Sequence, residues 1–240
     1  MSARIHQLDS LLINQIAAGE VIERPASVVK ELLENSLDAG ATKIRIEIEQ
    51  GGKQLIRITD NGSGIELEDI PLALARHATS KIRELNDLEH ICSLGFRGEA
   101  LPSIASVSRL QLTTRTEGSG CAWQVKGDGH GVADDPAPAS LPEGTKVEVH
   151  DLFYNVPARR KFLRADRTEY QQIREVCQRV ALSRFDVAFT LLHNGQSQFD
   201  LKAAANEKER LARLSRLLGD GFAENAHAVE ASSGEMSLSG

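Results

Sequence analysis

A chain of 240 residues has room for one sizeable domain and part of a second, at about 100–200 residues per domain. Its 41% hydrophobic and 26% charged residues suit a globular protein that buries its core without disulfides or a structural metal, and no apolar run approaches the ~20 residues of a membrane span. The formal charge of −6 excludes a global attraction to nucleic acid, so any such contact falls to a local basic patch. Cys92, Cys121 and Cys177 are odd in number and widely spaced, and no basic, then apolar, address opens the chain. A reducing, cytoplasmic setting with no membrane association is expected.

In chain order, Asp9 to Ile22 reads as a short helix. From Pro25, tolerated in a first helical turn, to Asp38 the residues Val28, Val29, Leu32, Leu33 and Leu37 recur with helical period, and Ala39-Gly40 stops the helix. Ile44, Ile46 and Ile48 alternate through a half-buried strand, Lys43 to Glu49. Gly51-Gly52 turns the chain into a second strand, Gln54 to Asp60, which Asn61-Gly62-Ser63-Gly64 breaks. Residues 65 to 98 are polar and weakly periodic, predicting short helices and a mobile loop. A helix from Glu99 to Val107 follows, then strands at Arg109 to Arg115, Ala122 to Lys126 and Thr145 to Leu152, with 127–144 as a long surface loop. Asp166 to Leu182 is a predicted helix, Val187 to Leu192 a strand closed by Asn194-Gly195, and Glu207 to Leu218 another helix. Two short strand-like pieces, Ala226 to Glu230 and Glu235 to Leu238, come last.

Chemistry begins on the second helix. Glu31, Glu34, Asn35 and Asp38 stand at i, i+3, i+4 and i+7 and form one polar stripe opposite the leucines. Such a stripe is usually a solvated face, but this one holds a mediocre helix former, Asn35, and no Lys or Arg to pair with its acids. An amide oxygen suits a hard cation such as Mg²⁺, and a carboxylate one turn away can activate a water. Glu31 and Glu34 both qualify on spacing. Asp60-Asn61-Gly62-Ser63-Gly64 places a carboxylate at a strand end, where it can accept from an exocyclic amine while the glycine backbone closes around a flat ring. Adenine carries that amine; guanine presents an oxygen at the same edge. Gly95-Phe96-Arg97-Gly98-Glu99-Ala100-Leu101 can expose backbone N–H groups to a phosphate ahead of a helix. Gly144-Thr145 puts a small hydroxyl pair at the head of a strand. No P-loop string occurs in the sequence.

In this order the four segments resemble the GHKL (Bergerat-fold) ATPases, the superfamily that groups DNA gyrase B, Hsp90, histidine kinases and MutL. Longer strings resemble the MutL branch: Asn14 to Val21, Glu34 to Gly40, Arg76 to Lys81, Gly95 to Leu101 and Asp151 to Leu163. The resemblance covers most of residues 5 to 200, except 116–143. It implies an α/β two-layer sandwich with a mixed, largely antiparallel sheet and helices on one face over 1–200. Residues 201–240 would then begin a second α/β domain, of the ribosomal S5 domain 2 type and incomplete here. It also implies ATP and Mg²⁺ as cofactors. Glu31 would be the general base, Asn35 the Mg²⁺ ligand, and Asp60 the adenine acceptor with Thr145 beside it and Gly62 and Gly64 closing around the ring. Thr79, Ser80 and Lys81 would lie in a lid, and Gly95, Phe96, Arg97 and Gly98 would wrap the phosphates.

The same resemblance implies slow ATP hydrolysis, ATP-driven dimerisation, and partners in a mismatch-recognition protein (MutS) and a downstream endonuclease or helicase. The lysine that the family's second domain brings to the terminal phosphate is not among these 240 residues. A nucleotide-gated binding module with negligible turnover and a gyrase B-like ATPase are the alternatives. Arg159, Arg160, Lys161, Arg164 and Arg167 crowd five positive charges into nine residues against one acid, Asp166. That run is either a solvated helix entry or a wall contacting DNA phosphates without reading sequence.

Overall fold

The structure is a computed structural model, and it describes residues 9–75, 78, 98–127, 134–227, 229–234 and 236–239. Helices α1 (Ser10–Val21) and α2 (Pro25–Asp38) lead into strands β1 (Lys43–Glu49) and β2 (Leu55–Asp60). A short helix α3 (Ile70–Ala73) and then α4 (Ala100–Ser106) precede β3 (Arg109–Arg115), β4 (Ala122–Gly127), β5 (Ala137–Ala139) and β6 (Gly144–His150). Next come α5 (Pro157–Phe162), α6 (Asp166–Ser183), the hairpin β7 (Ala188–His193) and β8 (Gln196–Leu201), α7 (Glu207–Leu218), α8 (Asp220–Ala223), and the pair β9 (Glu230–Ser233) and β10 (Met236–Ser239).

Eight strands form one sheet in the order β5-β4-β3-β6-β2-β1-β7-β8. Every pairing in it is antiparallel except β1 with β7, so the sheet is mixed and largely antiparallel, as expected. Side-chain alternation decides which face is covered. Ile44, Ile46, Ile48, Ile56 and Ile58 are at most 2% exposed and join Val28, Leu32 and Leu33 of α2 and Ile173 and Cys177 of α6 in one core. Each such aliphatic side chain contributes about 1.5–3 kcal/mol by leaving water. On the opposite face, in-register residues form a charge ladder. Arg57 donates to Glu47 at 2.8 Å and to Glu148 at 2.7 Å, and Lys146 reaches Glu148 at 2.9 Å. Cross-strand opposite charges of this kind suit a face that helices leave open.

The structure departs from the sequence-based expectations at several elements. β6 ends at His150, not Leu152, because Asp151 and Phe153 take φ of 51° and 62° and turn the chain. The predicted loop 127–144 contains the edge strand β5, whose Pro138 is tolerated because an edge needs no donor on its outer side. β8, whose residues are mostly polar and exposed, pairs with β7 beyond the Asn194-Gly195 turn. The first late strand runs Glu230–Ser233, not Ala226 to Glu230.

A buried arginine of α7 helps fasten that helix to the sheet domain, beside Leu217 in the core and a Gln178 hydrogen bond to the Leu217 carbonyl. Arg213, 4% exposed, donates to the carbonyls of Ala181 at 3.1 Å, Arg184 at 3.0 Å and Val187 at 2.8 Å, and also to that of Lys202. The carbonyls at the end of α6 have no helical partner, so the guanidinium serves as their cap. Arg213→Ala is expected to lower unfolding free energy by about 2–4 kcal/mol, since several charge-assisted bonds are lost together. Urea denaturation followed by circular dichroism measures this; a loss under about 1 kcal/mol is incompatible with the capping role.

Candidate functional site

At one end of the sheet the core-facing row turns polar. Ile56 and Ile58 of β2 are followed on the same face by Asp60, Val147 and Val149 of β6 are preceded by Thr145, and Leu110 and Leu112 of β3 are followed by Thr114. The register sets Thr114 opposite Thr145 and Thr145 opposite Asp60. Residues in this row stand where apolar side chains would sit if the row served only packing.

Asp60 is 9% exposed and its carboxylate is held from three sides. The Ser36 hydroxyl on α2 donates to Oδ2 at 2.7 Å, while the backbone N–H groups of Gly62 and Thr145 donate to Oδ1 at 2.9 and 3.2 Å. Burial pushes the Asp60 carboxyl above its ordinary value, and the three donors offset that only in part. A carboxylate offers about four acceptor positions, so three donors leave about one for an outside donor.

Glycines set the walls. A Cβ on Gly144, whose φ is 121°, would lie 2.0 Å from the Asp60 carbonyl oxygen, and one on Gly64, with φ of 74°, would lie 2.4 Å from that of Arg115. The turn between them is pinned at both ends. Asn61 Oδ1 accepts from the N–H groups of Thr42 and Lys43, and Thr114 Oγ1 accepts from the Ile65 N–H at 2.9 Å and lies 3.2 Å from the Thr145 hydroxyl. Ser36 and Thr114 were missed in the sequence. The signal for Ser36 was a serine at a core position of α2, among Leu32, Leu33 and Leu37; it is 4% exposed.

Glu31 and Asn35 lie one turn apart on α2, and Asn35 immediately precedes the Ser36 that grips Asp60. The stripe is not without a cation. Lys30, beside it, holds Glu34 Oε1 at 2.7 Å and stands 3.7 Å from Glu31 Oε1. Burial lowers the Lys30 ammonium pKa, but the Glu34 and Glu31 carboxylates outweigh it and hold the value above the ordinary one. Lys30 thus engages Glu34 more closely than Glu31, which separates two carboxylates that spacing left equivalent. Gly98 takes φ of 61° directly ahead of Glu99 and α4. Thr79, Ser80, Lys81, Gly95, Phe96 and Arg97 lie outside the described residues. Among the described residues no group of three or more His, Cys, Asp or Glu side chains could hold a metal ion. A cavity of about 460 Å³ on the sheet, lined in part by Lys43, Arg45, Thr190 and Lys202, includes Asp60 but none of the other anticipated site residues.

The basic run is divided. Arg160, Lys161, Arg164 and Arg167 are exposed, with no ion-pair partner among the described residues, and Phe162 beside them is 86% exposed. Arg159 is half-buried, turned toward α1, where its Nη2 donates to the Ile16 carbonyl.

Residues 22–143 match the family model described as histidine kinase-, DNA gyrase B- and HSP90-like ATPase. The chain belongs to this ATPase family. Among curated proteins, 95% of the chain is 60% identical to a DNA mismatch repair protein MutL of Azotobacter vinelandii and 58% identical to one of Pseudomonas entomophila. The chain spans 36% of the length of each. Among solved structures it resembles the Aquifex aeolicus MutL ATPase domain complexed with ADP, with a TM-score of 0.67 and 35% identity over 88% of this chain and 72% of that one. The N-terminal domain of a DNA repair protein aligns with a TM-score of 0.72 and 26% identity, covering 91% of this chain and 64% of that one. The resemblance read from the sequence is therefore to the N-terminal ATPase region of MutL, and the mixed sheet with helices on one face is the fold of that region.

The raised Asp60 value fixes a sign. A carboxyl whose folded pKa lies above its unfolded one costs stability once ionised, and that cost is relieved as pH falls through the raised value. Asp60→Asn keeps one acceptor for the two backbone donors and removes the charge. It is expected to unfold at no lower temperature than the parent chain at pH 7, with any advantage shrinking as the pH is lowered. Thermal unfolding across that range checks it; a midpoint several degrees lower at pH 7 contradicts this account.

Proposed function

We propose that this chain binds ATP with Mg²⁺, hydrolyses it slowly, and acts in MutL-type mismatch repair, where ATP drives pairing of two copies. The observation that carries the reading is the Asp60 carboxylate, buried at the end of a polar row and left with an acceptor position beside a glycine-walled turn. That position suits the adenine amine, and the close backbone approach at Gly62, Gly64 and Gly144 suits a flat ring. Thr145 stands next to Asp60 across the strand pair. Asn35 would hold Mg²⁺ through its amide oxygen, and Gly98, with the Gly95 to Arg97 segment, would meet the phosphates. Bound ATP with Mg²⁺ supplies a polarised terminal phosphoryl group and a good leaving group. Glu31 would orient the attacking water and take its proton, because its carboxylate is less engaged with Lys30 than that of Glu34.

In this reading the partners are non-specific DNA, a mismatch-recognition protein of the MutS kind and a downstream endonuclease or helicase, in the cytoplasm. Thr79, Ser80 and Lys81 would form a lid. Residues 201–240 would open a second domain that the relatives continue.

Equilibrium ATP affinity and single-turnover hydrolysis on one set of variants test the site. Asp60→Asn is expected to lose about 1.5–3 kcal/mol of ATP affinity, the worth of a hydrogen bond to a charged group. Glu31→Ala should keep its affinity and lose about 10²–10⁴-fold in rate, since a general base acts in the transition state. Glu34→Ala is the control and should retain most of the rate. A wild-type rate in Glu31→Ala with a slow Glu34→Ala would reverse the assignment.

For DNA, the exposed Arg160, Lys161 and Arg164 are the proposed phosphate contacts, with Arg159 at their edge. Replacing the three exposed residues with Ala should weaken binding equally across sequences and flatten its dependence on salt. Titrations of unrelated duplexes at several salt concentrations give the answer, and an unchanged slope in the folded triple variant removes DNA from the proposal.

A further inference from the structure

Arg159 begins the basic run of α5 yet does not share its exposure. Its Nη2 donates to the Ile16 carbonyl at 3.5 Å, its Cζ sits 6.0 Å from the centre of the fully buried Phe153 ring, and its Nη1 is buried without a hydrogen-bond partner. The guanidinium occupies a notch in α1 where Gly19 carries no side chain. A Cβ at Gly19 would lie 1.6 Å from Nη2 and 2.4 Å from Cζ. A glycine inside a helix weakens it relative to alanine, and a buried donor with no acceptor costs free energy. Two unfavourable features meeting at one contact point to a use other than stability.

The use follows from what α1 touches. α1 packs against α4, and Ala18 and Ile22 share a core with Ile104 and Ala105. α4 starts two residues after Gly98. The path therefore runs from α5 through the Arg159 guanidinium to α1, and from α1 to the start of α4.

We propose that Arg159 is a positioning residue for the nucleotide: it latches α1 at Gly19 and thereby fixes the Gly98–Ala100 entry of α4 where the phosphates are met. This rests on the ATP reading above. An ammonium lacks the planar fork that spans the Ile16 carbonyl and the Phe153 ring together, so lysine is a poor substitute at this position.

The test uses Arg159→Ala, Arg159→Lys, Gly19→Ala and the double variant Gly19→Ala/Arg159→Ala. Arg159→Ala is expected to weaken ATP affinity about two- to thirty-fold, the range seen when a residue couples to a site it does not touch. Arg159→Lys should not restore it. Gly19→Ala should give a similar loss, because its methyl displaces the guanidinium. The double variant should be no worse than Arg159→Ala, since the methyl then meets empty space and alanine favours the helix. Wild-type affinity in Arg159→Ala, or losses that add in the double variant, overturns the latch.

Hydrogen exchange on the nucleotide-free chain keeps this separate from the ATP reading. Arg159→Ala and Gly19→Ala should each deprotect α1 and the amides of Gly98 to Leu101 together. Deprotection of α1 alone reduces Arg159 to a packing contact and overturns the proposal. If the parent chain and Asp60→Asn bind ATP equally poorly, the ATP reading falls, and the exchange result still decides whether the latch exists.

Discussion

The carboxylate of Asp60 ties α2, the Asn61–Gly64 turn and β6 to one point, and the rest of the site takes its place from there. Ser36 brings α2 to it from the helix layer, Gly62 from the turn and Thr145 from the neighbouring strand. Glu31 and Asn35 ride on the same helix as Ser36, so the buried Val28, Leu32 and Leu33 hold them over the sheet and the Ser36 hydroxyl ties that helix to Asp60. A buried charge is unfavourable unless its acceptors are satisfied. Asp60 stands at the end of a strand whose other covered side chains are isoleucines, where three donors meet it.

The two faces of the sheet separate structure from chemistry. The open face neutralises its charges within itself through Glu47, Arg57, Glu148 and Lys146. Along β2, β6 and β3 the covered face is apolar until its last row, where Thr114, Thr145 and Asp60 stand side by side. That polar row lies at the end of the sheet where the Gly64 and Gly144 backbones leave no room for side chains. Glycine there is a steric requirement, since a Cβ would meet backbone atoms that have little freedom to move.

Much of this was legible in the sequence because it rests on periodicity. α2 and β1 carried unmistakable 3.6- and 2-residue patterns, and their limits agree with the structure at both ends. What escaped detection lacked such a pattern. β8 shows one alternating apolar pair, Phe199 and Leu201, among polar residues, and β5 is three residues with a central proline. Asp60 was visible from its glycines, whereas the places of Ser36 and Thr114 beside it follow only from how α2 and β3 sit against β2 and β6. Lys30 escaped although it stands four residues before Glu34, within reach of it on a helix, because it lies beside the stripe and not on it. Arg159 escaped for a related reason, as a charge in a basic run gives no hint that it folds under onto another helix.

The single parallel pairing has a consequence for how the chain reaches its native state. β1 is hydrogen-bonded to β7 with Lys43 opposite Ala188, so the strands flanking that seam come from opposite ends of the domain. The β1–β2 hairpin and the β3–β4 pair can zip locally, but the sheet stays in two pieces until the seam closes. Loop closure over that separation is entropically slow. During synthesis the outer edge of β1 therefore waits unpaired while more than a hundred residues emerge from the ribosome, about 5–20 each second. Until the seam closes, the unpaired N–H and C=O groups of that edge are a template for pairing with another chain, a hazard that the finished sheet removes by seating β7 there.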